Sequence, residues 1–413
     1  MLKIIFKIAL RNVLRRKLQT SLLGFMIFFT TFVIFALVGV QTGAFRLIED
    51  SYTKVFNGDL QIRSIDYKDV EDFEKMIEES DLASIKNTLS KYSKTEVFTS
   101  ERYISFALGD FNNKNYSFQL VGINPETEKN LSMPSNHIKS GVYLDDNSYN
   151  DIIIGQDLAD YFSLSVGDEI VLMSSDIYES FVIDSFRIKG IYEVGDIMLD
   201  KNTGFIHKKY FDDNIAYGKK ATNLTIRLSD SSYRGNLKEL IAKNISPKFQ
   251  VLSWDEILPE IKQTIEFQFT VSMFFYVLLV AIVSFILINS MMLATIKRLP
   301  EFGIYSSIGL NNRYFKWILF FENFILASFF IGLGSILGMF FVYYFSIQGI
   351  PLPAMTESKD QPLTLLSNVL YPNPKDSLLW VGPLLIYVAC IFSIIPPTIR
   401  LLKSNPVQSI TSN

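Results

Sequence analysis

The chain of 413 residues has one cysteine, Cys390, and two histidines, His137 and His207. A single thiol rules out an intrachain disulfide, so any folded part must hold by its apolar core alone. The two histidines stand far apart and lack metal-ligand spacing, which leaves surface or hydrogen-bonded roles and no expected metal site. Also missing are a Gly-x-x-x-x-Gly-Lys-Ser/Thr phosphate loop, a Gly-x-Ser-x-Gly turn and a His-Glu-x-x-His helix. Without the first there is no nest of backbone N–H groups to hold nucleotide phosphates. Without the others hydrolytic chemistry is disfavoured, so no catalytic residue and no bound cofactor are expected in this chain. Charge is close to balanced, with 39 Lys and Arg against 42 Asp and Glu. The basic residues sit beside apolar runs and not in aromatic-interleaved patches, which argues against nucleic-acid binding.

What the chain has in quantity is apolar and aromatic side chains, 49% and 14% of all residues. Crossing the hydrocarbon core of a bilayer takes about 20 mainly apolar residues. Windows of that kind occur at 22–40, 270–295, 317–346 and 378–399. The first lacks an Ala-x-Ala-like cleavage site and outruns a signal-peptide core, so it reads as a retained anchor. Lys3, Lys7, Arg11, Arg15, Arg16 and Lys17 precede it, Lys297, Arg298, Arg313 and Lys316 separate the second window from the third, and Arg400 and Lys403 follow the fourth. The positive-inside rule puts all three clusters, and both termini, in the cytoplasm.

The expected class is therefore an α+β membrane protein: four transmembrane helices with a large mixed α/β extracytoplasmic domain inserted between helices 1 and 2. Its divisions are an amphipathic cytoplasmic helix 1–21, helix 1 at 22–43, the periplasmic domain 44–269 with two subdomains, helix 2 at 270–295, a cytoplasmic loop 296–316, helix 3 at 317–346, a periplasmic loop 347–377, helix 4 at 378–399 and a cytoplasmic tail 400–413. In the opening segment Leu2, Ile5, Phe6, Ala9 and Val13 oppose Lys3, Lys7, Arg11 and Arg15, which fits either a helix lying on the inner membrane surface or an extension of helix 1. Within the large domain, alternation predicts strands at 59–65, 97–108, 116–123, 152–154, 169–173, 181–192, 223–228 and 249–252, with helices at 70–92, 156–162 and 233–244, around a single β-rich core. Residues 254–267 are helix-compatible and run toward the second window, with Pro259 able to kink or start that helix.

Two polar residues inside the windows, Glu322 and Asn323, need partners, because ionisable groups are costly in hydrocarbon. Glu322 lies close enough to the cytoplasmic end of its window to be solvated there or to pair with Arg313 or Arg298, and pairing is the expectation. Gly334 and Gly338 form a small-x-x-x-small face, which Ser328 and Gly332 are expected to extend as one helix-packing surface. Between the second and third windows Pro300 suits the first turn of a short helix, and Phe302, Ile304, Tyr305 and Ile308 give it an apolar side. Flanked by Arg298 and Glu301, such a helix fits a cleft on a partner protein.

At these residues the chain resembles the four-span permease subunits of ABC transporters of the mechanotransmission type, a group that includes lipoprotein-releasing permeases, macrolide-exporter permeases and cell-division permeases. The resemblance rests on the basic run Phe6 to Lys17, on Ile153-Ile154-Gly155-Gln156-Asp157-Leu158-Ala159 followed by Ser165-Val166-Gly167-Asp168, and on Arg298-Leu299-Pro300-Glu301-Phe302-Gly303-Ile304 with Ser307-Ile308-Gly309. Glu322 ahead of a glycine-rich helix 3 and the ending Ile395-Pro396-Pro397-Thr398-Ile399-Arg400 complete it. Length and the lack of a fused ATPase look most like the lipoprotein-releasing permeases.

The resemblance implies a pair of permeases, identical or homologous, in the bacterial inner membrane, bound to two copies of a separate ATPase that carries the ATP and Mg. It implies that Arg298, Pro300, Glu301, Phe302, Gly303, Ile304, Tyr305, Ile308 and Gly309 dock that ATPase as a coupling helix. It further implies that a lipoprotein substrate is lifted from the outer leaflet toward a periplasmic carrier. Its acyl chains would lie among membrane lipids and Phe35, Val38, Val40, Phe269, Met273 and Phe274. Leu299-Pro300 and Phe302 depart from the family's usual pattern at the docking segment. The other readings within the resemblance are an efflux permease and a non-transporting regulator of a cell-wall hydrolase.

Overall fold

A computed structural model of the chain describes residues 2–65, 67, 75–92, 96–111, 114–195, 197–298, 312–351 and 369–403. The chain divides into two units, one built from Met1–Phe45, Ile265–Pro351 and Val369–Asn413, the other centred on Arg46–Thr264.

The second unit is organised by its strands: β1 (Leu60–Ser64), β2 (Ile77–Glu78), β3 (Val97–Phe111), β4 (Lys114–Ile123), β5 (Ile138–Gly141), β6 (Asp151–Gly155), β7 (Glu169–Ser175), β8 (Phe181–Tyr192), β9 (Thr203–His207), β10 (Lys220–Ala221), β11 (Asn223–Leu228) and β12 (Phe249–Ser253). Strand β3 is long enough to serve two neighbourhoods. Its first part pairs with β11, from Val97↔Leu228 to Arg102↔Asn223. Its second part pairs with β4 on one edge and, at Leu108 to Asp110, with β7 on the other. From there the pairing runs β7 to β8, β8 to β6, β6 to β9 and β9 back to β4, so these strands close into a ring with β3. Closure removes the unpaired edges that would invite other chains.

One core fills the ring, with Tyr103, Phe118, Ile152, Phe162, Ile170 and Phe186 among its buried side chains. A second lies where β1, β11 and β12 are covered by the helices Glu79–Tyr92 and Arg234–Asn244, through Ile62, Leu224, Ile226, Ile85, Leu89 and Ile241. A third buries the outer face of β4, β6 and β9 with Val121, Ile123, Ile153 and Phe205. The single β-rich core expected from the sequence is thus several, because β3 continues from one layer into the next. Burial on both faces explains the unbroken Ile152-Ile153-Ile154 run, where a half-buried strand would alternate.

Most anticipated strands are present to within a few residues. The helix expected over 70–92 starts at Glu79, because Ile77 and Glu78 instead pair with β10. Strand β9 and the helices Ile197–Asn202 and Lys208–Asn214 gave no pattern in sequence. Gly204 hides β9: a Cβ there would come within 2.9 Å of Phe118, so the position must lack the side chain that would have marked a strand.

The first unit holds apolar helices. Among the described residues four helices, lying wholly or mostly in this unit, are long and apolar enough to cross a membrane: Thr20–Asn57, Pro259–Ile296, Lys316–Gln348 and Ser377–Ile399. They are called spans one to four below. The opening helix Leu2–Arg15 is separate from the helix Lys17–Tyr52 that follows it. Its buried Ile5 packs with Ile318, Leu319 and Ile394, and Phe6 meets Phe321 edge-on at 5.8 Å. Span two does not run on from Trp254 as the sequence allowed. The helix Trp254–Ile257 is capped by a reciprocal Ser253–Glu256 box, Leu258 leaves helical geometry, and Pro259 opens the long helix. The residue before a proline is driven out of the helical region, so the break falls at Leu258. Span four is also interrupted, as a 3-10 turn Ser377–Trp380, a helix Val381–Phe392 and a second helix Ile395–Lys403. Pro396 and Pro397 lack the N–H groups that would have continued the helix.

Candidate functional site

The interruption of span four frees the carbonyl of Cys390 from the helical ladder. It accepts instead from the Ser393 hydroxyl at 2.7 Å and from the side-chain amide of Asn323, which is buried in span three. A polar residue in an apolar window and a proline break thus satisfy each other. Glu322, its neighbour, points elsewhere. Its carboxylate accepts from Nη1 of Arg298 at 2.7 and 3.0 Å and from Nδ2 of Asn12 at 2.7 Å. Of the two partners expected for Glu322, Arg298 is found, and the Arg313 side chain lies outside what is described. Asn12 was missed, and the signal was available: it is an uncharged amide on the apolar-facing side of a basic helix.

Of the docking residues anticipated, Pro300, Glu301, Phe302, Gly303, Ile304, Tyr305, Ile308 and Gly309 lie outside the described residues. Arg298 is described and stands at the end of span two, its N–H donating to the Thr295 carbonyl at 3.1 Å.

The six anticipated acyl-contacting residues divide. Val38, Phe269 and Met273 line one apolar pocket together with Ile34, Tyr276 and Leu385, between spans one, two and four. Phe35 instead belongs to the bundle interior, edge-on to Trp380 at 5.6 Å and against Gly338. Val40 is half-buried, and Phe274 is 66% exposed. The pocket also contains Gln41, whose side-chain oxygen accepts the Tyr276 hydroxyl at 2.6 Å. Ile34, Val38 and Gln41 fall on one helical stripe, the spacing that would have found them.

The small residues of span three do not share one face. A Cβ on Gly334 would meet the Phe28 carbonyl at 2.7 Å, and one on Gly338 would meet Phe35 at the same distance, so these two seat span one. Gly332 has nothing within 4 Å, and Ser328 lies 3.3 Å from the Tyr387 hydroxyl. At about 100° per residue, positions 332 and 334 point to nearly opposite sides of the helix. The expected single packing surface is corrected to two.

In the second unit the deepest charges are Arg102 and Glu128, both fully buried. Arg102 gives two hydrogen bonds to the carboxylate, at 2.5 and 3.2 Å, and one to the Phe56 carbonyl at 2.6 Å. Burial works against the Glu128 charge, but the Arg102 guanidinium, with the Ser100 and Ser132 hydroxyls, outweighs it and holds the carboxyl below its usual range. Arg234 similarly joins Asp59, at 2.6 Å, to Glu49. His207 caps the helix Lys208–Asn214 by accepting the Lys209 N–H, and burial lowers its pKa. Among the described residues no group of acidic, histidine or cysteine side chains is placed to hold a metal.

Residues 273–406 match a known family, the FtsX-like permease C-terminal region. The lipoprotein-releasing system transmembrane protein LolC of Xylella fastidiosa (strain Temecula1) is 21% identical over 197 residues, 46% of this chain and 47% of that protein. An uncharacterized membrane protein of Buchnera aphidicola subsp. Schizaphis graminum is 25% identical over 229 residues, 54% of each chain. The chain spans about half the length of the curated relatives it matches. Among solved structures, the periplasmic region of MacB from Actinobacillus actinomycetemcomitans aligns with a TM-score of 0.36 at 17% identity, covering 54% of this chain and 98% of that one. The extracellular domain of the noncanonic ABC-type transporter YknZ from Gram-positive bacteria aligns with a TM-score of 0.32 at 10% identity, covering 47% and 99%. The family match over 273–406 and the low-identity LolC relatives support the resemblance to an ABC transporter permease. Among the described residues, the four apolar helices are long enough to cross a membrane, as the family match would require.

Proposed function

We propose that this chain is the membrane permease subunit of an ATP-driven transporter that releases lipoproteins from the outer leaflet of the inner membrane. The observation that carries the reading is the FtsX-like permease match over 273–406, joined to low-identity LolC relatives. In this reading the termini and the segment 300–309 are cytoplasmic, and the unit centred on Arg46–Thr264 is periplasmic. The segment 300–309 docks a separate ATPase that binds ATP and Mg, two copies serving a pair of permeases, and a periplasmic carrier receives the lipoprotein.

The apolar pocket at Val38, Phe269 and Met273 supports an acylated substrate. Removing an acyl chain from the bilayer forfeits about 0.8 kcal/mol per CH₂. A replacement apolar surface lowers that cost, and ATP hydrolysis on the partner supplies the remainder. Val38, Phe269 and Met273 take the acyl contacts, and Phe35 shapes the pocket from behind by holding spans three and four.

Affinity purification from solubilised membranes tests this, comparing wild type with a Glu301→Arg, Ile304→Asp double variant. The expected outcome is an ATPase and acylated lipoproteins with the wild type, and loss of the ATPase from the variant. An ATPase accompanied only by a periplasmic adaptor or a cell-wall hydrolase would retain the permease and reject lipoprotein release. No ATPase at all would reject both.

A further inference from the structure

We propose that Asn12, Arg298 and Glu322 form a latch that positions the ATPase-docking segment, a role that rests on the docking reading of residues 300–309. Three elements distant in sequence meet at one carboxylate. Oε1 of Glu322 accepts from both Asn12 and Arg298, and Oε2 accepts from Arg298 at 2.7 Å. The Arg298 and Glu322 side chains are 7% and 13% exposed. Around them lie Val13, Leu23, Met291, Leu319 and Leu326, with Arg16, Thr20 and Thr295 as the polar members of the same lining. In such largely apolar surroundings separating the pair is expensive, since both side chains are nearly closed off from solvent.

The place of the pair in the chain gives it consequence. Arg298 ends span two immediately before Leu299, and Glu322 lies in the helix Asn312–Gln348 that follows the docking segment. The ion pair therefore closes the base of the loop that carries 300–309. Closing a loop at its base restricts the conformations open to it, which lowers the ordering cost of binding a partner. Asn12 adds the opening helix to the same carboxylate, so a displacement of the docking segment acts on that helix as well. Arg298 and Glu322 are positioning residues: neither needs to touch the ATPase for its loss to uncouple it.

The test uses the full chain in lipid nanodiscs, with spin labels on cysteines replacing the exposed Lys7 and Lys297. Wild type is expected to give one narrow distance distribution. Glu322→Gln is expected to broaden it, Glu322→Asp to preserve it, and the charge-swapped pair Arg298→Glu, Glu322→Arg to restore it. In the complex purified with its ATPase, Glu322→Gln is expected to lower ATP hydrolysis about tenfold while the ATPase stays bound, a change within the range that single residues on a coupling route command. An unchanged distribution in Glu322→Gln overturns the latch. A broadened distribution with unchanged hydrolysis at full ATPase occupancy overturns the positioning role. If the wild-type chain retains no ATPase, the docking reading falls and the positioning role with it, while the label distances still decide whether the latch exists.

Discussion

At the scale of single residues, charge and volume have sharp consequences here. Arg102 and Glu128 are buried together, so removing one leaves the other without compensation. Arg102→Met or Glu128→Gln should each destabilise the second unit by about 3–5 kcal/mol. Thermal unfolding of the detergent-solubilised chain reads the effect, and an unchanged transition for both variants would refute it. The pH dependence follows from the lowered Glu128 pKa. The unfolded state takes up this proton more readily than the folded one. The contribution is therefore complete above the ordinary carboxylate range and is lost as pH falls through the lower folded value. In Glu128→Gln this part of the acid sensitivity should disappear. Glycine positions divide equally clearly. Gly334→Leu should cost about 1–3 kcal/mol by forcing span one away, since a Cβ alone already meets the Phe28 carbonyl. Gly332→Ala, with nothing nearby, should leave the melting temperature unchanged. Equal losses at the two sites would contradict the two-surface description.

At the scale of elements, the informative places are where helices stop. The turn at Leu258 is held by the Ser253–Glu256 capping box on one side and by Pro259 on the other. Ser253→Ala should cost about 1 kcal/mol, the usual worth of an N-cap. Hydrogen exchange should then quicken in the amides of Trp254–Ile257 but not within Pro259–Ile296. If exchange rises equally along the long helix, the break at Leu258 does not separate the two. The capping pair and Pro259 are legible as a sequence pattern, but that pattern also permits a kink within one continuous helix. Choosing a full break required the Leu258 backbone. Strand β9 was illegible for a different reason, because its glycine is selected by the closeness of Phe118 and not by any local preference. The segment 300–309, proposed to dock the ATPase, is conspicuous in sequence and lies outside the described residues.

For the whole molecule, the proposed lipoprotein release requires an apolar pocket that stays accessible to an acyl chain. Val38→Trp or Met273→Trp should fill the pocket shared by spans one, two and four. Photo-crosslinking of an acyl probe to the full chain should drop, while Phe274→Trp, at an exposed position, should leave it unchanged. Equal crosslinking in all three variants would place the acyl site elsewhere.

The sequence by itself determined the four apolar helices, the mixed α/β unit, most of its strands, and the need of Glu322 for a partner. These depend on periodicity, hydrophobic length and charge, which are local and additive along the chain. Only the tertiary structure decided that β3 joins separate cores, that Gly332 and Gly334 serve opposite faces, that Val38 lines the pocket while Phe35 does not, and that Asn12 completes the Glu322 site. Each of these depends on which distant segment lies a few ångströms away. A chain records its own preferences in its spacing, but the identity of its neighbours is set by packing, where residues 310 apart in sequence can share one hydrogen bond.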